Sequence, residues 1–211
     1  MKKTLSIITN FGCHFTCPYC VVKNNSIDVP YTTIESLDRL KAAVEIVRPD
    51  KISVSGGGDP LYHYGLHVDY YDKLFDICDE LNLPVEMHTS YRTSGFPYWK
   101  CSKVVYHCRN VDDISQIKQQ GNEKIRVVFV VDESFTTDKI DEIVSHVKKS
   151  SIISELSFRQ MIDKNYQTTD YCQDYLRQGH KKDWYYIEQC DYNMYFVEGE
   201  LYDRYEDLRK E

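Results

Sequence analysis

Six short runs rich in β-branched and apolar residues recur along the chain, and helical periodicity separates most of them. The runs are TLSIIT at 4–9, KISVS at 51–55, PVEMHT at 84–89, KVVYH at 103–107, KIRVVFVV at 124–131 and ISELSF at 153–158. Their length and composition make them buried strands. After the first, Ile34, Leu37, Leu40, Val44 and Val47 recur every three to four residues until Pro49 stops the pattern, and Thr32 and Glu35 have capping-box spacing. Leu74, Ile77, Cys78 and Leu81 mark a second helix, with a short one expected near Trp99. Ile114 and Ile117 mark another, and Ile140, Ile143, Val144 and Val147 the last. Strands alternating with helices are βαβ units, which build a parallel sheet with right-handed crossovers. Six units leave two closures open: a doubly wound sheet or an incomplete barrel, since a full eight-unit barrel takes about 250 residues and the chain has 211.

Residues 1–160 carry the alternation and form the expected core domain, and 161–211 read as a C-terminal extension packing on or over it. Half of the 18 tyrosines lie from Tyr166 onward, and MYFVEGELYDRY at 194–205 suggests a hairpin around Glu198-Gly199. Such an aromatic tail is a candidate lid over the sheet's mouth or a cap on exposed core. A hydrophobic content of 42% and a charged content of 28% suit a globular chain, and no apolar run approaches the roughly 20 residues of a membrane span. The opening MKKTLSIITN has too short an apolar run for a secretory signal, so the expected location is cytoplasmic. The net charge of -7 argues against duplex nucleic acid as a partner and for small molecules or proteins.

Parallel α/β folds place reactive groups at the carboxyl ends of their strands. Directly after the first run comes NFGCHFTCPYC, with Cys13, Cys17 and Cys20 inside eight residues. Three thiolates can hold three irons of a [4Fe–4S] cluster and leave the fourth open to a substrate or cofactor. A zinc site recruiting His14 or His63 is the alternative. Among the other cysteines, Cys78 falls on the apolar face of a helix. Cys101, Cys108, Cys172 and Cys190 match no auxiliary-cluster spacing, although Cys108, at the rim, is a candidate hydrogen donor to a substrate radical.

With the turn after the second strand added, the chain resembles the radical S-adenosylmethionine (radical SAM) superfamily. Its signature is C-x3-C-x2-C with an aromatic residue before the last cysteine, matched by Cys13, Cys17, Tyr19 and Cys20. Its second feature is a Gly-Gly-Glu-like turn, matched by Gly56, Gly57, Gly58 and Asp59, with Asp in place of the usual Glu. The resemblance covers residues 4 to about 160. It implies an incomplete parallel (β/α)6 TIM-like barrel and an enzyme with oxidoreductase chemistry. A [4Fe–4S] cluster on the three cysteines would cleave S-adenosylmethionine to a 5′-deoxyadenosyl radical, which takes hydrogen from a small-molecule, nucleoside or peptide substrate. It implies cofactor contacts from Tyr19, Gly56, Gly57, Gly58 and Asp59. Further contacts are expected from His88, Thr89 or Ser90 after strand three, from Tyr106, His107 or Arg109 after strand four, and from Arg159 after strand six. Of these, His88, Ser90, Tyr106 and Arg159 are preferred, and no catalytic residue is singled out. A one-electron donor such as flavodoxin or ferredoxin is the implied partner. An activase acting on a glycyl radical enzyme is the alternative function, and a non-enzymatic zinc or iron–sulfur protein the distant one.

Overall fold

The computed structural model describes residues 3–180, 182–188 and 193–209. In chain order the strands are β1 (Thr4–Thr9), β2 (Lys51–Gly56), β3 (Val85–Thr89), β4 (Lys103–Cys108), β5 (Lys124–Val131), β6 (Ile153–Gln160), β7 (Tyr185–Ile187), β8 (Met194–Val197) and β9 (Glu200–Tyr202). The helices are α1 (Val21–Asn24), α2 (Leu40–Val47), α3 (Val68–Glu80), α4 (Val111–Ser115), α5 (Thr137–Lys149) and α6 (Gln173–Gly179), with short 3₁₀ turns at Glu35–Arg39 and Tyr98–Lys100 among others. The strands form one sheet in the order β7-β6-β5-β4-β3-β2-β1-β8-β9. Every neighbouring pair is parallel except β8 and β9. The outermost strands, β7 and β9, do not pair with each other among the described residues. The sheet is therefore an open, partial barrel. No helix is long and apolar enough to cross a membrane among the described residues.

The six central strands fall where the β-branched runs stand. Successive residues point to opposite faces. Leu5, Ile7, Ile52, Val54, Met87, Val104 and Phe129 face the helices in one large core, each 2% exposed or less. Each such side chain contributes about 1.5–3 kcal/mol of burial. Cys78, Cys101 and Cys108 are buried in this same layer, which accounts for them as core thiols. Cys172 is half-buried, its Sγ 3.4 Å from the Phe135 carbonyl. Cys190 lies outside the described residues.

The opposite parity is polar. At the strand starts, Lys51, Glu86, Lys103, Glu155 and Arg126 form a continuous ion-pair ladder across five strands, β2 to β6. Lys51 lies 2.7 Å from Glu86, and Lys103 lies 3.7 Å from Glu86 and 2.9 Å from Glu155. Arg126 Nε donates to Glu155 at 2.6 Å. Toward the strand ends the same parity presents Ser53, Ser55, His88, His107 and Arg159.

Two expectations need correcting. The helix after β1 has no capping box: it opens as a 3₁₀ turn at Glu35, and the Thr32 hydroxyl instead accepts the Asn10 N–H at 2.8 Å. The tail is also more than a hairpin. β8 and β9 do turn at Glu198-Gly199, but β8 adds to the sheet parallel to β1 (Leu5↔Met194, Ile7↔Phe196), and β7 extends the other end beside β6.

Candidate active site

The loop after β1 is held before it reaches its first cysteine. Asn10 Nδ2 donates to the Val29 carbonyl at 2.6 Å, its Oδ1 accepts the Gly12 N–H at 3.2 Å, and its carbonyl accepts the Thr32 N–H at 3.1 Å. Gly12 then turns with φ +100°, in the left-handed region that favours glycine. Its carbonyl accepts the Asp59 N–H at 2.9 Å. Beyond it the Phe15 N–H points at Cys13 Sγ (3.4 Å), and the Cys20 N–H donates to the Cys17 carbonyl (3.2 Å) as α1 begins. Lys23 Nζ and Asn24 Nδ2 fold back onto the carbonyls of Phe15 and Pro18 at 3.2 and 2.7 Å.

The second turn packs against the first. The Gly57 N–H donates to the Thr9 carbonyl at 2.7 Å. None of Gly56, Gly57 and Gly58 takes a positive φ; crowding is what demands glycine. A Cβ on Gly58 would lie 2.2 Å from the Gly12 carbonyl oxygen, and one on Gly57 2.5 Å from Val29. The two sequence motifs are thus one interlocked unit. Asp59 fastens that unit to β3. It is 4% exposed; its Oδ1 accepts the Leu61 N–H (2.9 Å) and the Thr89 hydroxyl (2.7 Å), and its Oδ2 accepts the Ser90 N–H (2.6 Å). Its carboxylate therefore serves the protein's own donors. Asp59 thus fastens the turn, and it lines the same cavity as the glycines before it.

Cys13, Cys17, Cys20, Tyr19, Gly56–Gly58, His88, Ser90 and Arg159 all line one cavity of about 330 Å³ at the carboxyl ends of the strands. Tyr106 does not. It is 3% exposed, hydrogen-bonded with Tyr98 and covered by the Arg92 guanidinium 5.4 Å from its ring, on the helix side of β4. Its neighbour His107 faces the cavity instead. Strand parity explains the exchange, because His107 shares its face with Lys103 of the ladder. Arg109 stacks on Phe15 of the cysteine loop at 4.2 Å and pairs with Asp113 at 3.5 Å. Gln160 of β6, beside Arg159 on the same rim, also lines the cavity, and so do two tyrosines of the tail that sequence reasoning did not single out, Tyr195 and Tyr205.

Electrostatically the cavity has two zones. At the mouth, burial holds the Cys13 and Cys17 thiols above the ordinary range, opposed at Cys17 by a hydrogen bond from Tyr19. Burial also raises the Tyr19 hydroxyl, with Cys17 adding to it. All three groups are therefore neutral at pH 7, and metal binding would have to expel the thiol protons. Deeper in, burial pushes His107 down to about 4, helped by the Arg159 cation. His88 is driven well below the usual imidazole range by burial, then by His107 and Arg159.

The donor set suits an iron–sulfur cluster in kind. Three soft thiols share one cavity, and the partly buried loop is pinned at Asn10 and Gly12. No three of His, Cys, Asp and Glu are gathered closely enough to hold a metal ion among the described residues. Neither His14 nor His63 joins the three thiols: His14 stacks with Tyr62 at 5.9 Å between ring centroids, and His63 meets the same ring at 4.0 Å, tilted by 56°.

Fold and site together define an open (β/α) barrel with a cysteine loop and a glycine turn facing one cavity. The fold is that of SuiB from Streptococcus suis. Its crystal structure bound to the precursor peptide SuiA matches with a TM-score of 0.60 at 15% identity, over 90% of this chain and 49% of that one. The structure of SuiB bound to S-adenosylmethionine matches with a TM-score of 0.58 at 16% identity, over 90% and 48%. The chain spans about half the length of these proteins. No protein-family profile matches the sequence, and no curated protein matches it.

Proposed function

We propose that the protein is a radical SAM enzyme, with residues 1–160 as its catalytic core and 161–211 as a cover. The observation that carries this reading is the convergence of Cys13, Cys17 and Cys20 with Gly56–Gly58 on one cavity. It occurs in a fold shared with a protein crystallised with S-adenosylmethionine. The three thiolates would hold the [4Fe–4S] cluster, and the bound cluster and cofactor would supply a 5′-deoxyadenosyl radical that takes hydrogen from the substrate. The chain's own residues position and shield. The turn at Gly56–Gly58, held by Asp59, would bring backbone against the cofactor's amino acid end. Tyr19, His88, Ser90 and Arg159 would supply polar contacts around it. Tyr195 and Tyr205, from the cover, exclude water from a cavity in which a loose radical would attack the nearest C–H bond.

A peptide is the favoured substrate, because SuiB was crystallised with a precursor peptide. A small one-electron carrier such as flavodoxin or ferredoxin would reduce the cluster. The test is anaerobic reconstitution with iron and sulfide, followed by S-adenosylmethionine and a strong reductant. The expected product is 5′-deoxyadenosine, detected by mass spectrometry. Absence of product, with zinc retained in place of iron, overturns the reading.

A further inference from the structure

One tyrosine in the cavity wall has a backbone conformation that side chains rarely adopt. Tyr166, in the loop after β6, has φ +61°. In that left-handed region a bulky residue is an outlier that its surroundings must impose. A small clamp built on Asp163 imposes it. Asp163 Oδ1 accepts the Asn165 and Gln167 N–H groups, each at 2.8 Å. The backbone closes the same turn twice: the Tyr166 N–H donates to the Asp163 carbonyl at 3.1 Å, and the Asp163 N–H to the Gln167 carbonyl at 2.9 Å. An antiparallel bridge between Ile162 and Thr168, and the Thr169 hydroxyl donating to Gln160 Oε1 at 3.0 Å, tie the turn to the end of β6. The Tyr166 side chain lines the cavity. It packs on the second apolar cluster, built from Ile27 and Val29 after the cysteine loop and from Tyr205 and Leu208 of the tail. Strain of this kind persists where a side chain must be held in one place for a function.

The chemistry of that place narrows the function. A carbon radical left on a substrate is quenched by a hydrogen atom from a bond weaker than C–H, and among side chains thiols and phenols carry such bonds. Cys108, the candidate by its position after β4, is 2% exposed in the helix-side core. The thiols that line the cavity are Cys13, Cys17 and Cys20, which the cluster would occupy. Among the described residues, the phenols lining it are Tyr19, Tyr166, Tyr195 and Tyr205. The Tyr19 hydroxyl is bonded to Cys17. Tyr195 and Tyr205 are buried, at 6% and 9% exposed. Tyr166 is half-buried, so its hydroxyl proton exchanges with water and a carrier outside can reduce it.

We propose that Tyr166 is the hydrogen-atom donor that quenches the substrate radical. This rests on the radical SAM reading and deepens it by naming the reaction class: redox-neutral replacement of hydrogen at a substrate carbon. In the step the phenolic O–H bond breaks and a C–H bond forms, which leaves closed-shell product and a phenoxyl radical on Tyr166. One electron from the carrier and one proton from water restore the phenol. Together with the electron that cleaves S-adenosylmethionine, each turnover draws two electrons from the carrier. The substrate keeps its formula, and its new hydrogen comes from water.

The test uses S-adenosylmethionine alone, on the reconstituted full chain in heavy water, with titanium(III) citrate as reductant and no added thiol. Without a substrate the 5′-deoxyadenosyl radical takes hydrogen from the same donor, since the O–D bond of water is too strong to supply it. The expected product is 5′-deoxyadenosine carrying one deuterium, read by mass spectrometry. Tyr166→Phe, which removes only the hydroxyl and should keep wild-type circular dichroism, should give unlabelled product. Tyr195→Phe and Tyr205→Phe should keep the label. In the unloaded protein, nitration by tetranitromethane, which passes through a phenoxyl radical, should mark Tyr166 ahead of Tyr195 and Tyr205 in peptide maps. Unlabelled wild-type product, a label that survives Tyr166→Phe, a label lost in either of the other variants, or nitration of Tyr195 or Tyr205 ahead of Tyr166 overturns the donor assignment and leaves the radical SAM reading intact. Absence of 5′-deoxyadenosine altogether overturns that reading, and the donor with it.

Discussion

Replacing Asp59 with alanine tests whether the glycine turn and the cysteine loop are held as one unit. The substitution removes a carboxylate that accepts from three donors inside the protein. The Thr89 hydroxyl keeps an acceptor, since the Tyr91 carbonyl lies 3.0 Å away. The Leu61 and Ser90 N–H groups lose theirs. An orphaned buried donor costs about 1–3 kcal/mol. Two of them, with a small void, bring the loss to about 3–5 kcal/mol, or roughly 6–20 °C in Tm for a chain of this size. The effect reaches beyond stability, because the Asp59 N–H also holds the Gly12 carbonyl at the root of the cysteine loop. Iron retention after reconstitution should fall with the melting temperature. Asp59→Glu keeps the charge but forces a methylene into a site 4% exposed, at about 1–3 kcal/mol. Urea or thermal unfolding by circular dichroism, with iron content measured alongside, reads both effects. An alanine variant within about 1 kcal/mol of wild type would refute the fastening role.

Other outcomes follow from the same geometry. Cys17→Ala should lose both iron incorporation and 5′-deoxyadenosine formation while keeping its fold, as read by iron assay, mass spectrometry and circular dichroism. Gly58→Ala puts a Cβ 2.2 Å from a backbone oxygen, which no side-chain rotation relieves; it should cost about 2 kcal/mol or more and reduce iron loading. His107, lowered to about 4 by burial and Arg159, binds its proton less readily folded than unfolded. Stability should therefore fall as pH drops from 6.5 to 4, by up to about 3 kcal/mol from this group. His107→Gln should flatten that part of the unfolding profile, and an unchanged slope would count against the burial argument.

The central strands were legible because contiguous β-branched runs between helical periods admit few other readings. The cysteine loop and glycine turn were legible because their spacing is local. What escaped depends on contacts distant in sequence. Thr32 has capping-box spacing, yet Asn10 claims its hydroxyl. Tyr106 and His107 differ by one residue, and only the parity shared with Lys103 decides which meets the cavity. The role of Asp59 was hidden because its acceptors' partners lie as far away as Ser90. α6 left no trace because it offers a single fully buried apolar side chain, Leu176. The parallel pairing of β8 with β1 joins segments at opposite ends of the described chain, a distance over which local pattern carries no information.

That pairing governs the order in which the protein can mature. The segment following the third cysteine is clasped from the tail: the Asp28 N–H donates to the Leu208 carbonyl at 2.8 Å, and Ile27 bridges Arg209. Glu198 accepts the Thr33 N–H at 3.1 Å. A ribosome delivers Cys13, Cys17 and Cys20 long before it delivers β8. During that interval β1 has one open edge, and the thiols sit on an unclasped loop. The clasp on the segment after the cysteine loop can therefore form only once synthesis has passed Leu208.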